Sequence, residues 1–359
     1  MAGSDLKWFP IASEFPAGLD TETDPKRLRD GFSPDAYGMN IDYPGRLVKA
    51  TLTPTFVLPI VKQYVIGANT WTWYYRRLWR AANNNLHYCA KEYVAIEYPQ
   101  DLGILSFDEE GSGSVIQGFF PFARDAMFVT KENGGYIVPN ANSDGGRFEH
   151  GPIHGNLRST TSGNSLMLNQ IAYVSNEYGF MAWDGNVPTE LTRNCRTAST
   201  HFTNKALRLQ WSKNRVIGFT DATDTFVYDA DTKKLFYWLA GTTSVNGTAN
   251  PSFRFTTRTI TNKAYEPFRV ASVAFHIVNT TEKSGTISYQ YKTDQDWSAV
   301  QTVQVRWDEK GRHWTANPME RALESRNFTV RVTDISSHIH IRQIDILASL
   351  TSEVESLSE

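Results

Sequence analysis

Residues Ala126–Pro139 read AMFVTKENGGYIVP: an apolar run, a polar turn and a second apolar run. Asn133-Gly134-Gly135 predicts the positive φ angles of a tight hairpin turn, so this stretch reads as two antiparallel strands. The same form recurs on both sides. Tyr64–Ala81 (YVIGANTWTWYYRRLWRA) alternates, with Trp71, Trp73 and Tyr75 on one side and Thr70, Thr72 and Tyr74 on the other. That period of two is a strand signature. Asn83–Asn85 reads as a turn, and Leu86–Tyr98 as the next extended run. Gly103–Phe120 (GILSFDEEGSGSVIQGFF) repeats the pattern of run, turn and run. In Arg215–Trp238, turns are expected around Asp221–Asp224 and Asp229–Thr232. Strands every 8–12 residues argue for an all-β sandwich, barrel or propeller.

Farther out the character changes. Met1 to Lys49 carries Pro10, Pro16, Pro25, Pro34 and Pro44 with glycines between them. Proline lacks the amide that a central strand or helix interior needs, so an extended arm with turns is expected. Trp8, Phe9, Phe15 and Phe32 make it too aromatic for a solvated linker, and it is expected to lie along its own domain or a neighbour. Thr242–Pro251 reads as a linker. Beyond it, RVASVAFHIVN, GTISYQYKTD, AVQTVQVRWD, NFTVRVTD and HIHIRQIDILA alternate apolar and polar residues, which predicts a small antiparallel β-sandwich. In the last run Ile339 and Ile341 share a face with Ile344 and Ile346 only if the phase slips, so a bulge is expected near Arg342-Gln343. Pro318–Ser325 (PMERALES) is the best helical candidate. The expected organisation is an arm over 1–50, a first β domain over 51–245, a sandwich over 251–348 and an acidic tail over 349–359.

Composition narrows function by exclusion. The 359 residues hold 36 Lys+Arg and 38 Asp+Glu, a formal net charge of −2. Bulk positive charge is therefore no basis for nucleic-acid binding, although a local patch is. No apolar run reaches the roughly 18 residues of a membrane helix. The first ten residues, MAGSDLKWFP, contain no apolar core of a secretory signal. Two cysteines, Cys89 and Cys195, exclude a disulfide scaffold or a four-cysteine zinc site and fit a reducing compartment with buried thiols. Aromatic residues are 13% of the chain.

Candidate sites are few, and no phosphate loop, nucleophile elbow, zinc-protease helix or dinucleotide fingerprint is present. His338 and His340 share a strand face and could hold zinc with a third ligand; an exposed strand face is the plainer reading. His150 and His154 sit in a Gly-rich segment that reads as a loop tip. Asp221, Asp224, Asp229 and Asp231 are close enough for calcium but lack its regular spacing, so turns are favoured. Glu97, Asp101, Glu109 and Glu110 are candidate paired carboxylates of a glycosidase. Trp71, Trp73, Arg76, Arg77, Trp79 and Arg80 interleave cations with rings. That combination suits a subunit interface or a DNA-facing surface, or a packed strand with stacked arginines.

Two motifs carry a family likeness. Gly179–Thr192 (GFMAWDGNVPTELT) resembles an aromatic-Asp-Gly-x-x-Pro blade motif of β-propeller proteins in tailed-bacteriophage tails. Phe226–Trp238 (FVYDADTKKLFYW) is similar to a blade ending of the same proteins, and Asp24–Gly45 looks like their opening arm. The family is the tail nozzle, tail hub and packaged-DNA-stabilisation type. The resemblance implies an irregular β-propeller-like domain followed by the sandwich. It further implies a structural virion protein, made in the host cytoplasm and resident in the tail, that seals or conducts packaged DNA. Implied partners are further copies in a cyclic ring, a hexamer favoured, and tail or neck proteins such as a portal adaptor. Transient DNA contact in a lumen is implied too, with no membrane, no cofactor, no metal and no enzymatic activity. The alternatives are a receptor- or carbohydrate-binding tail component and a glycoside hydrolase on a β-propeller.

Overall fold

The structure is a computed structural model. It describes residues 6–13, 18–20, 23–30, 32–37, 39, 45–49, 62–66, 68–91, 103–107, 114–144, 147–193, 208–212, 215–219, 225–238, 253–261, 266–279, 284–294, 296–306 and 312–349. Every regular element described is a strand, apart from turns, and the chain is all-β. It divides into two compact units: Met1–Pro54 with Ala222–Val227 and Lys233–Glu359, and Thr55–Asp221 with Tyr228–Thr232.

The first unit opens with arm strands β1 (Lys7–Ala12), β2 (Gly18–Leu19), β3 (Phe32–Ser33) and β4 (Ala36–Tyr37). The second unit is a series of antiparallel meanders. The first sheet runs β5 (Gln63–Ile66), β6 (Asn69–Tyr74), β7 (Arg77–Ala82), β8 (Asn85–Tyr88) and β9 (Gly103–Ser106), each strand paired with the next. The second runs β10 (Ile116–Phe122), β11 (Ala126–Lys131), β12 (Gly135–Val138) and β13 (Gly151–Ile153). The third runs β14 (Ser165–Leu168), β15 (Ile171–Asn176), β16 (Gly179–Trp183) and β17 (Thr189–Glu190). A further hairpin joins β18 (Arg208–Ser212) to β19 (Arg215–Phe219). Strand β10 lies against β14, and β14 against β18, so the leading strands of successive sheets meet. That is the blade arrangement of a propeller, with unequal sheets.

The alternation within Ala126–Pro139 shows what holds the sheets together. All six residues of β11 are buried, because both of its faces are covered. Met127 and Val129, with Tyr136 and Val138, face a core shared with Trp79, Leu86, Tyr88, Leu105 and Phe107 of the first sheet's segment. Ala126 and Phe128 face the opposite way, into a core with Ala172, Val174, Met181 and Trp183 of the third sheet. Phe128 and Phe122 both stack on Trp183, at 5.4 and 4.6 Å between ring centroids. Each such buried aromatic contributes about 1.5–3 kcal/mol of transfer free energy. The hairpin at residues 131–135 closes by Lys131 N–H donating to Gly134 O at 2.8 Å. The expected positive φ is absent from Asn133, Gly134 and Gly135. Gly135 is required instead by close approach, since a Cβ there would stand 2.8 Å from Leu157 Cβ.

The rest of the first unit holds β20 (Thr225–Asp229) in part, then β21 (Lys234–Trp238), β22 (Arg254–Thr256), β23 (Ile260–Thr261), β24 (Phe268–Asn279), β25 (Ser284–Lys292), β26 (Gln301–Arg306), β27 (Arg312–Ser325), β28 (Asn327–Ile335) and β29 (Ile339–Ala348). One sheet has the order β1-β29-β24-β27, and a second carries β4-β22-β28-β25-β26. Alternate residues of these strands (Phe275, Ile277, Tyr289, Val330, Val332, Ile344 and Ile346 among them) are buried, as a sandwich requires. The bulge is where the phase slip put it: His276 pairs with Gln343 and Ile277 with Ile341, leaving Arg342 over. The helix expected over 318–325 is instead the end of β27, with Ser272 opposite Pro318 and Val270 opposite Leu323. Pairing with the long β24 overrode local helix propensity, and proline is tolerated because β27 is the last strand in its sheet's order.

The arm lies on its own unit. β1 pairs with β29 from Lys7–Ala348 to Ala12–Ile344. Leu28, Ala36, Met39, Leu47 and Val48 are buried. Asp35 accepts from both Arg254 and Arg331 at 3.2 Å. The expected linker over Thr242–Pro251 and the acidic tail beyond Ser349 lie outside the described residues.

Candidate functional site

The interleaved run Trp71–Arg80 belongs to two strands and the turn between them. β6 ends at Tyr74 and β7 begins at Arg77, so Tyr75 does not continue the face of Trp71 and Trp73. Tyr75 and Arg76 form the turn with φ of 51° and 59°. Two residues with positive φ are the type I′ requirement, usually met by Asn and Gly. For other L-residues the left-handed region costs roughly 1–2 kcal/mol each. The Tyr75 hydroxyl offsets part of this by donating to Ala126 O at 2.5 Å, with Phe122 O at 3.3 Å. The turn of β14–β15 repeats the device: Asn169 and Gln170 have φ of 51° and 62°, and Gln170 Oε1 accepts from Ala123 N–H at 2.5 Å. Hairpin turns of three successive sheets are thus tied in series.

Of the six candidate residues, Trp71, Arg77 and Trp79 are buried, Trp73 and Arg80 are half-buried, and Arg76 is exposed. Arg77 is 1% exposed. Its Nη1 donates to Cys89 O at 2.6 Å and its Nη2 to Ser143 O at 3.0 Å. Its guanidinium lies 5.3 Å from the Phe148 ring centroid and 5.8 Å from that of Tyr88. Burial pulls its pKa down from the usual arginine range. Trp79 Nε1 donates to Tyr74 O at 3.1 Å. Arg80 sits 5.1 Å from the Trp71 ring and donates to Asn69 Oδ1 at 2.9 Å. Trp71, Arg77 and Trp79 are therefore packed inside the unit, as the stacked-arginine alternative has it, while Trp73, Arg76 and Arg80 keep exposed surface. Burial also raises Tyr74 and Tyr75 to about 12.

The other candidates are engaged in turns and carbonyl contacts. His338 Nε2 donates to Ser284 O at 2.7 Å, while His340 Nδ1 faces Arg46 Nη1 at 3.2 Å. A cation opposite His340 is at odds with a shared zinc ion. His150 Nε2 donates to Ser106 O at 2.9 Å and its ring stacks on Phe107; His154 is exposed. Asp229 Oδ1 accepts from the amides of Asp231 and Thr232, both at 3.0 Å, which makes the turn its role. Asp221, Asp224, Glu97, Asp101, Glu109, Glu110 and Cys195 lie outside the described residues; Cys89 is buried. Among the described residues no three of His, Cys, Asp and Glu come together as a metal site. No helix among them is long and apolar enough to cross a membrane.

Sequence reasoning missed two features. A buried lysine, Lys131, donates to Phe107 O at 2.9 Å between the first two sheets. A His–Asp pair, His276 Nε2 to Asp345 Oδ2 at 2.6 Å, spans β24 and β29, with Gln343 Nε2 donating to Asp345 Oδ1 at 2.7 Å. Gln343 and Asp345 share a face of β29 by their spacing of two, but only the register with β24 brings His276 to them.

No family model matches the chain, and no curated protein does. Several solved structures do. An exo-β-1,3-galactanase from Phanerochaete chrysosporium shares 12% identity over 84% of this chain and 69% of that one, with a TM-score of 0.22. A glycoside hydrolase family 43 arabinoxylan arabinofuranohydrolase from Bacillus subtilis shares 8% over 80% and 78%, with a TM-score of 0.24. An isomalto-dextranase from Arthrobacter globiformis T6 shares 11% over 39% of this chain at a TM-score of 0.20, and the match spans 22% of that enzyme. None of the three is a tail protein. They correct one expectation: with glycoside hydrolases as its structural matches, the chain is not to be classed as non-enzymatic. At such identities and TM-scores they pass neither activity nor catalytic residues to it.

Proposed function

We propose that the chain is a structural subunit of a bacteriophage tail or neck ring. What supports this reading is the role of the motif residues that resemble tail propellers. In Gly179–Thr192, Asp184 Oδ1 accepts from Asn186 N–H at 3.1 Å and Gly185 takes φ of 103°. Trp183 Nε1 donates to Asn186 O at 2.8 Å, and Thr192 Oγ1 accepts from Phe180 N–H at 3.1 Å. The motif thus closes one sheet and presents Trp183 to its neighbour, the arrangement expected of a rigid blade. In a ring, rigid blades and a docked arm would hold a lumen open. The second reading is a glycoside hydrolase on a propeller scaffold; a receptor-binding component is the third.

The test is the native mass of the purified full chain, with imaging of the main peak. Six copies of a 40.6 kDa chain give about 244 kDa and a ring with a hole. A compact monomer that stays monomeric with tail proteins present overturns the ring. On the same preparation, release of reducing sugar from β-1,3-galactan, arabinoxylan or dextran would establish the second reading. Binding without cleavage would favour the third.

A further inference from the structure

Beyond the β1 pairing, the arm and β29 meet at a second contact. Leu47 and Ile341 exchange two backbone hydrogen bonds, Leu47 N–H to Ile341 O at 2.7 Å and Ile341 N–H to Leu47 O at 3.0 Å. Leu47 and Val48 are buried beside them. Lys49 Nζ pairs with Asp334 of β28 at 2.7 Å. Between these sits Arg46, whose Nη1 lies 3.2 Å from Nδ1 of His340. His340 is 3% exposed.

We propose that this contact is an acid-labile latch, in which the 46–49 end of the arm stays on β29 while the Arg46–His340 pair carries one positive charge, that of the guanidinium. With a neutral imidazole, Nδ1 accepts a hydrogen bond from Arg46. A proton on Nδ1 ends that acceptance and sets two cations 3.2 Å apart away from water. Among the described residues, the charged or titratable groups that act on His340, Arg46 and His338, both oppose its protonation. Arg46 comes from the arm, and His338 from its own chain just before β29. Strand β24 places the apolar Val278 opposite. Burial, then Arg46, then His338 lower the pKa of His340 below that of a free histidine. The sign follows: the unfolded or undocked state binds the proton more readily. Docking is then complete above the ordinary histidine pKa of about 6.5 and weakens as pH falls below it. Release bares the edge of β29 at Ile341.

Amide hydrogen exchange on the full chain at pH 7.5 and 5.0, expressed as protection relative to the intrinsic rate at each pH, tests the latch. Protection at Leu47 and Ile341 should fall severalfold at pH 5.0, while that at Met127 and Val174 in the other unit holds. His340→Gln, which keeps an acceptor for Arg46 but cannot gain the charge, should remove the fall. Arg46→Met should shrink it, and serves if the glutamine variant does not fold. The latch is overturned if wild-type protection at Leu47 and Ile341 is the same at both pH values. It is equally overturned if all amides lose protection together, or if the variants keep the wild-type fall.

Discussion

Arg77 shows how a side chain that reads as a binding residue becomes part of the interior. Its fork meets two carbonyls, of Cys89 and Ser143, and its plane meets the rings of Tyr88 and Phe148. Methionine would fill much of the space but leave both carbonyls without that donor. Arg77→Met is expected to destabilise the second unit by about 2 kcal/mol, the range for leaving buried polar groups unsatisfied. Arg77→Lys should recover part, since one ammonium reaches both carbonyls less well. Urea unfolding midpoints of the two variants check this. Arg76, one residue earlier and exposed, should be replaceable by alanine with a change within about 0.5 kcal/mol. Tyr74 and Tyr75 give a pH prediction. Their folded values of about 12 exceed the unfolded value of 10.0. From pH 10 to 12 the unfolded chain releases phenolic protons that the folded one keeps, so stability falls as pH rises. Unfolding midpoints at pH 9 and 11 should differ less in Tyr74→Phe than in wild type. The chemistry of this cluster was legible in the residue types; its burial was not, because the turn at Tyr75-Arg76 uses residues that rarely adopt positive φ.

Strands and turns carry the next level. The apolar pair of runs in Ala126–Pro139 reads as a hairpin and is one, because two covered faces demand a nearly continuous apolar strand. Its glycine acts through space rather than through φ. Gly135→Ala should cost about 1–3 kcal/mol by overpacking against Leu157, measurable as a lowered melting temperature without loss of the strand signal in circular dichroism. Tyr75→Phe removes the hydroxyl that ties one sheet's turn to the next. The expected loss is about 1 kcal/mol, with faster amide exchange in the turn 122–126 as the local readout. The bulge at Arg342 was legible as a slip in apolar phase. The strand over 318–325 was not, because helix propensity is a weak prior that a long partner strand overrides.

At the scale of the molecule, two β units each bury their own core, and the arm belongs to the sandwich unit by the strands and side chains it contributes. Native mass and glycan hydrolysis, measured on one preparation, decide between ring and enzyme. By itself the sequence determined the all-β class, the strand periods of the sandwich, the bulge and the aromatic and charge balance. These follow from local patterns: alternation, turn residues and composition. Tertiary structure alone decided which faces of β11 meet which sheets, that Arg77 and Trp79 turn inward, and that Arg46 meets His340 across 294 residues. Such contacts depend on register and on the packing of sheet against sheet, and spacing along the chain carries no trace of either.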